Sequence, residues 1–582
     1  MVKYTIIPDC RSHTYLVQLQ FTPNNKIAEL KLPAWIPGSY MIREFSKNII
    51  KISASQNKSA IQIWQINKNT WYISDLTPNK PVTVSYEVYA YDTGIRTSFI
   101  DLNRGYFNNT SLCLYAVGYE DKEHQIIIDK LPAKWEIATG LKKRNDKFIA
   151  KNYAELIDCP FELGKFTRIS FNVKDILHHI ILSGVTPKHF SKKKLIDDVT
   201  KICSTQIDLF NGAGFSEYTF ILNLAGDIYT GLEHKNSTLL MAPYYSLPLK
   251  HQTQRQRDYL KLLGLISHEY FHAWNVKLIK PQAFNPYNLD TENYTSLLWW
   301  FEGITSYYDD LMLYRAGIIN KNEYLQIILD NINNVYKYDG VNQQSLANSS
   351  LTSWTKYYRP DENSPNAMVS YYTKGSLVGL CLDLLIRDKT ENESSLDMVM
   401  QNLYSKWQND GLGLLEDELP NLITSYTGCD LRKQIEDFTQ TTKNLPLKRL
   451  LAKFGMNLIQ INGNYLNNGK VLAKLEKLPV LDKQNFGAKL SKESLGYKVI
   501  NVYVNGNAYK AGIAANDLII ALDDTQLFDI DRQLLLYSTG DKITVTLFRQ
   551  ARLLRIDLKL ENKNVPIHHV RIMDNKLLSH WL

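Results

Sequence analysis

Residues 268–272 read His268-Glu269-Tyr270-Phe271-His272, and no other feature narrows the structure of this chain as far. They fall in a run from Arg257 to Trp274 in which Leu260, Leu263, Gly264, Ser267 and Phe271 recur at helical spacing and mark a packed face. Residues four apart share a face of a helix, so His268 and His272 can reach one ion. Glu269 points off that face, placed to take a proton from an attacking water instead of binding the ion.

A hydrolytic metal site needs a third protein ligand and an open position, commonly two histidines and a glutamate. Thirty residues after His272 lies Glu302, within Trp299-Trp300-Phe301-Glu302-Gly303-Ile304-Thr305-Ser306-Tyr307-Tyr308, a strongly apolar helical run. Glu302 is the only carboxylate between Leu297 and Tyr308. A glutamate among Trp, Phe and Ile is costly to bury unless paired or bound to a metal, which makes it the third-ligand candidate. The competing reading is a carboxylate ion-paired elsewhere in the core. Asp309, two turns on, reads as an exposed helical aspartate and not as a residue that orients an imidazole.

At 582 residues the chain has room for three or four domains. From Tyr4 to about Gly164 the pattern is strand-like, with Thr14–Phe21, Val82–Tyr91, Gln125–Ile128 and Phe148–Ala150 as strands of an antiparallel β domain. Two segments interrupt it, Pro33–Tyr40 and Arg104–Thr110, and both read as turn chemistry around buried aromatics. Helical periods dominate from about Lys165 to Phe454, after a few strands such as Thr219–Leu224. The helices expected are Arg257–Trp274, Thr291–Leu313, Asn322–Tyr336, Val369–Arg387, Ser394–Gln408 and Leu431–Thr441. The polar stretch Asp339–Ala367 reads as a long excursion near the site of this domain. The last hundred or so residues return to short strands. The fold expected is multidomain α+β: an N-terminal β domain (1–165), a mainly helical catalytic domain (166–454), a small β module (455–562) and a tail (563–582).

Lys plus Arg number 67 against 59 Asp plus Glu, and this dilute excess of +8 gives no footprint for nucleic acid. Six cysteines (Cys10, Cys113, Cys159, Cys203, Cys381, Cys429) lie far apart and read as free, mostly buried thiols of a reducing compartment. The start has no apolar run of signal-peptide type, and nowhere do about 18 apolar residues run together. A cytoplasmic protein without membrane contact is expected.

With these motifs in place, the chain resembles the glycyl aminopeptidase family of zinc metallopeptidases, gluzincins with a thermolysin-like catalytic domain and a C-terminal PDZ domain. The likeness runs through Pro33–Arg43, Cys159-Pro160-Phe161-Glu162-Leu163-Gly164, the two-histidine helix, the Trp-Phe-Glu-Gly helix and the C-terminal module. Tyr229-Thr230-Gly231-Leu232-Glu233-His234 is similar to the substrate-reading strand of gluzincin aminopeptidases, with Thr230 where a second glycine is common. The resemblance implies that Gly231 and Glu233 bind substrate, Glu233 holding the free α-amine; by composition alone Glu233 is an ordinary edge-strand glutamate. An α-ammonium fixed on a carboxylate leaves only the first peptide bond over the metal. Ser370-Tyr371-Tyr372-Thr373-Lys374-Gly375-Ser376 is similar to the clan's Tyr-x-Lys-Gly helix start, which implies that Tyr372, or failing it Tyr371, stabilises the oxyanion. Phe486-Gly487-Ala488 and Asn507–Ile513, followed by Asn516–Leu522, resemble the carboxylate loop, short helix and next strand of a PDZ domain. Such a domain either takes a C-terminal peptide by strand addition or docks for stability.

The resulting expectation is a metallo-aminopeptidase with one zinc per chain on His268, His272 and Glu302, Glu269 as general base and acid, and peptides with a free N-terminus, Gly or Ala first, as substrates. The alternatives are a zinc endopeptidase whose PDZ groove recruits chain ends, and a non-catalytic zinc-stabilised scaffold.

Overall fold

Strict alternation builds the first sheet. Val2, Tyr4 and Ile6 of the Val2–Asp9 strand are fully buried while their neighbours are half-exposed, the pattern of a sheet with one face on a core. The computed structural model describes residues 1–251, 256–463, 466–468, 470–471, 484–561 and 565–582. The boundary expected between 562 and 563 lies outside them. The molecule is multidomain α+β, and its chain divides into two units: Met1–Asn293 with Tyr404–Gly413, and Tyr294–Leu403 with Leu414–Leu582.

In the first unit an eight-stranded sheet runs in the order Lys142–Arg144, Lys147–Ala150, His124–Ile128, Val2–Asp9, Thr14–Phe21, Val82–Tyr89, Ile49–Gln56, Ser59–Ile61. Its pairs are antiparallel except Val2–Asp9 with His124–Ile128, which is parallel. Two four-stranded sheets share its core, which includes Tyr4, Val17, Leu30, Trp71, Phe107 and Phe161. The same core continues through Ile181, Ile221, Leu232 and Leu239 into a five-stranded mixed sheet. That sheet is ordered Thr167–Val173, Ile176–Gly184, Glu217–Leu224, Ser237–Ala242, Thr230–Glu233, so the short Thr230–Glu233 strand is its edge.

Helices Lys192–Leu209 and Arg257–Phe271 pack together beside this sheet, joined by Gln206, whose Nε2 donates to Ser267 O and Oγ at 2.9 and 3.0 Å. A second tie fixes the rotation of the Arg257–Phe271 helix. His178 Nδ1 lies 3.0 Å from Ile176 O, so it carries the proton, and Nε2 accepts from the Tyr270 hydroxyl at 2.9 Å.

In the second unit Trp299–Ile304 forms a π-helical turn that runs into helix Thr305–Arg315, followed by helices Lys321–Tyr336 and Thr373–Lys389. The expected helix from Thr291 starts late because Thr295 Oγ1 and Ser296 N–H both donate to Glu416, which keeps the segment out of the helix. The expected helix from Val369 likewise begins at Thr373, where Ser370 Oγ accepts the Thr373 N–H at 3.1 Å. Toward the C-terminus, Met456–Gly463 pairs with Val565–Ile572, and a separate six-stranded sheet spans Ala488–Lys559 with its own core of Phe486, Leu490, Val499, Ile519, Val545 and Leu558. All six cysteines are free, and five of them are buried. Among the described residues no helix is long and apolar enough to cross a membrane.

Burial pushes the His178 imidazole down to about 4. Between pH 4 and its ordinary value near 6.5 the unfolded chain therefore binds the extra proton, so this ring's contribution is complete above about pH 6.5 and is lost toward pH 4. The Tm difference between the parent and a His178→Gln variant is expected to narrow as pH falls through that window, as thermal melts at stepped pH would read.

Candidate active site

The Arg257–Phe271 helix ends with His272 as its cap, the His272 N–H donating to His268 O at 3.2 Å. One turn apart on the same face, the two Nε2 atoms lie 3.0 Å from each other. His272 Nδ1 sits 2.8 Å from Asn275 O; a carbonyl only accepts, so Nδ1 bears the proton and the Nε2 lone pair is left to ligate. Two nitrogens on a tetrahedral zinc would stand roughly 3.3 Å apart at ordinary bond lengths, so the donor pair fits such an ion with little movement.

A carboxylate pair faces His272. Glu233, Glu269 and His272 are each 5% exposed or less, and one ligand atom from each lies within 4.8 Å of the others. What allows this is the absence of a side chain at Gly231, where a Cβ would stand 2.0 Å from Glu269 Oε1. Arg96 fixes the edge strand here, donating to Thr230 Oγ1 and Gly231 O, both at 3.1 Å. On its other side Glu233 meets Gly38, whose φ of +90° and a Cβ position 2.5 Å from Glu233 Oε1 both call for glycine. The Pro33–Tyr40 segment is thus a turn around buried Trp35 and Tyr40, and it also walls the carboxylate.

In the second unit Glu302 is 2% exposed, on the π-helical turn, a distortion that recurs at functional positions. Gly303 and Gly375 let the two backbones touch, since a Cβ on Gly303 would lie 2.5 Å from Gly375 Cα. That crossing sets Glu302 beside the helix that Tyr372 opens. Burial first, then the Glu302 carboxylate, hold the Tyr372 hydroxyl well above its ordinary pKa. The Asp339–Ala367 excursion supplies Tyr357, whose ring is 4.7 Å from Tyr371 and 5.5 Å from Tyr372.

Of the residues singled out in the sequence, the first unit brings together His268, Glu269, His272, Gly231 and Glu233, and the second brings together Glu302 and Tyr372. Sequence reasoning missed Gly38, Arg96, Asn275 and His178. Only the glycine in Pro37-Gly38-Ser39 carried a local signal, and it was that of a turn.

A β domain ahead of a helix that presents two convergent imidazoles and a flanking glutamate fits a hydrolytic metal site, and the relatives of this chain make it a metallo-aminopeptidase, a hydrolase of peptide bonds. Residues 3–165 match the Peptidase M61 N-terminal domain and residues 261–378 match M61 glycyl aminopeptidase. An aminopeptidase N family protein from Idiomarina loihiensis is 37% identical, with a TM-score of 0.95 and 100% of each chain covered. The chain belongs to the M61 glycyl aminopeptidase family. A variant of an M1 zinc metallopeptidase from Deinococcus radiodurans shares the fold at 12% identity, with a TM-score of 0.50 over 77% of this chain and 95% of that one. No curated protein matches the chain.

Gly231→Ala is expected to fold and to keep its metal while displacing Glu269. Its kcat should fall by about a hundredfold or more with metal content unchanged, as steady-state kinetics and elemental analysis of the same sample would read.

Proposed function

We propose that this chain removes N-terminal Gly or Ala from peptides, with one zinc ion held by His268, His272 and Glu302. The observation that carries the reading is the convergence of the two Nε2 atoms beside Glu269 and Glu233. Zinc, when bound, polarises the scissile carbonyl and lowers the pKa of its water toward neutrality. Glu269 takes the proton from the attacking water and passes it to the departing amine. The Tyr372 hydroxyl donates to the oxyanion that develops on the carbonyl oxygen. Glu233 binds the substrate α-ammonium, with Gly38 and Gly231 leaving room at its two sides, and this fixes the first peptide bond over the base.

The domains that go with this reading are 1–165, 166–454 and 455–562, with 563–582 as a tail. The third is PDZ-like: Gly487, at φ +85°, turns the Phe486-Gly487-Ala488 loop into the Ala488–Lys492 strand, opposite helix Ile530–Gln533. Asn467 lies between them, its carbonyl accepting from Leu490 N–H and its Nδ2 donating to Asp531 Oδ1 at 2.8 Å. That favours a groove filled from within the module over an open peptide groove, and leaves docking of the module for stability as the other reading. Six unpaired cysteines suit a reducing, cytoplasmic compartment.

Matched Gly- or Ala-started peptides, free and N-acetylated, with and without a chelator, test the function. Release of the first residue from the free peptide alone, abolished by the chelator, is expected. Cleavage of both peptides would favour the endopeptidase. Glu269→Gln should lose activity by roughly a thousandfold with zinc retained, and parent-level activity in that variant would leave only the scaffold.

A further inference from the structure

Next to Glu233 lies a largely buried ion pair that the mechanism above does not use. Lys277, 3% exposed, places Nζ 2.6 Å from Asp158 Oδ1. Asp158 also holds the end of the edge strand: its Oδ2 accepts from Lys235 N–H at 2.8 Å, and its Oδ1 is 3.4 Å from Nδ1 of buried His234. The aspartate is itself braced by buried Asn109, whose Nδ2 donates to Leu156 O and Cys159 O on either side of it, both at 2.8 Å. Lys277 comes five residues after His272, the cap of the two-histidine helix, and its N–H donates to His272 O at 3.1 Å. The turn between them keeps Val276 at φ +146°, a strained setting for a β-branched residue that the surrounding contacts must enforce.

The charges around Lys277 come from several segments. Burial alone would push its ammonium down, but Asp158 first, then Tyr287 and Glu233, hold it above its ordinary value. Burial would likewise push Asp158 up, and Lys277, ahead of His234 and Lys235, holds it below the usual carboxylate range. Lys280, over the Tyr287 ring, is pushed down to about 7 by burial and then by Lys235 and Lys277. Asp158 and Glu233 are thus the two carboxylates that these cations sense.

We propose that Asp158 is a positioning residue of the amine subsite: by pairing with Lys277 it keeps that cation from quenching Glu233, and by gripping residues 234–235 it sets where the Glu233 carboxylate stands. With Asp158 and Lys277 cancelling, Glu233 presents one net negative charge to the single positive charge of an α-ammonium. The inference rests on the reading of Glu233 as the amine clamp. With both side chains this deeply buried, an uncompensated Lys277 would act on Glu233 far more strongly than it could in water.

The experiment is steady-state kinetics of the zinc-loaded, full-length enzyme on a free-amine Ala-started tripeptide, with zinc content and Tm recorded for each variant. Asp158→Asn is expected to raise KM about tenfold or more with kcat within about threefold, Lys277→Met to leave KM no higher than the parent's, and the double variant to return it to within about threefold. That asymmetry is the signature, because a pair that only braces the fold raises KM in both single variants and does not recover in the double. Removing one partner of a buried pair is destabilising, so if Asp158→Asn does not fold, Lys277→Met carries the test: a rise in its KM overturns the proposal. Glu233→Gln separates the two layers. An unchanged KM there removes the amine clamp itself, whereas a raised KM there with an unchanged KM in Asp158→Asn removes only the role given to Asp158.

Discussion

The close approach of the Thr230–Glu233 strand to Glu269 is the contact on which the first unit's site depends. A backbone without a side chain at Gly231 passes where any Cβ would overlap the Glu269 carboxylate. That approach brings the Glu269 and Glu233 carboxylates within 4.8 Å of each other and of a His272 nitrogen. The restraints around it all serve to hold it: Arg96 on the strand, Gly38 behind Glu233, and Tyr270 against His178. Two are buried or half-buried polar contacts of a kind that is costly to leave unmade, and Gly38 is a close approach that only a residue without a side chain permits.

The second unit shows the same economy. Paired glycines, Gly303 and Gly375, bring two helical backbones into contact, and the π-helical turn then carries Glu302 among aromatic rings. Tyr357, Tyr371 and Tyr372 stack there, which restricts the rings and leaves hydroxyls as the polar groups they can offer. A buried carboxylate in such surroundings has a strong physical demand for a cation.

How much of this was legible in the sequence follows from the range of each interaction. The two histidines share a face because a helix repeats every 3.6 residues, a local property that five residues suffice to show. Glu302 stood out by contrast with its apolar neighbours, also locally. Glu233 and Tyr372 were reached only through family resemblance, since an edge-strand glutamate and one of 36 tyrosines carry no pattern of their own. Gly38, Arg96 and the Asp158–Lys277 pair were out of reach because their partners come from segments far apart in the sequence that only the tertiary fold brings together. The helix starts at Thr291 and Val369 failed for a related reason: the Glu416 carboxylate, taking Thr295 Oγ1 and Ser296 N–H, and the Ser370 hydroxyl, taking Thr373 N–H, hold backbone that periodicity alone would have coiled.

The central claim is a single zinc on two imidazoles and one carboxylate, and X-ray absorption at the zinc edge of the purified, metal-loaded protein tests it most directly. The account predicts one equivalent of zinc in a shell of nitrogen and oxygen at about 2.0–2.1 Å, with the outer-shell scattering of two histidines and no sulfur. A shell with sulfur at about 2.3 Å, or one without imidazole scattering, would contradict it.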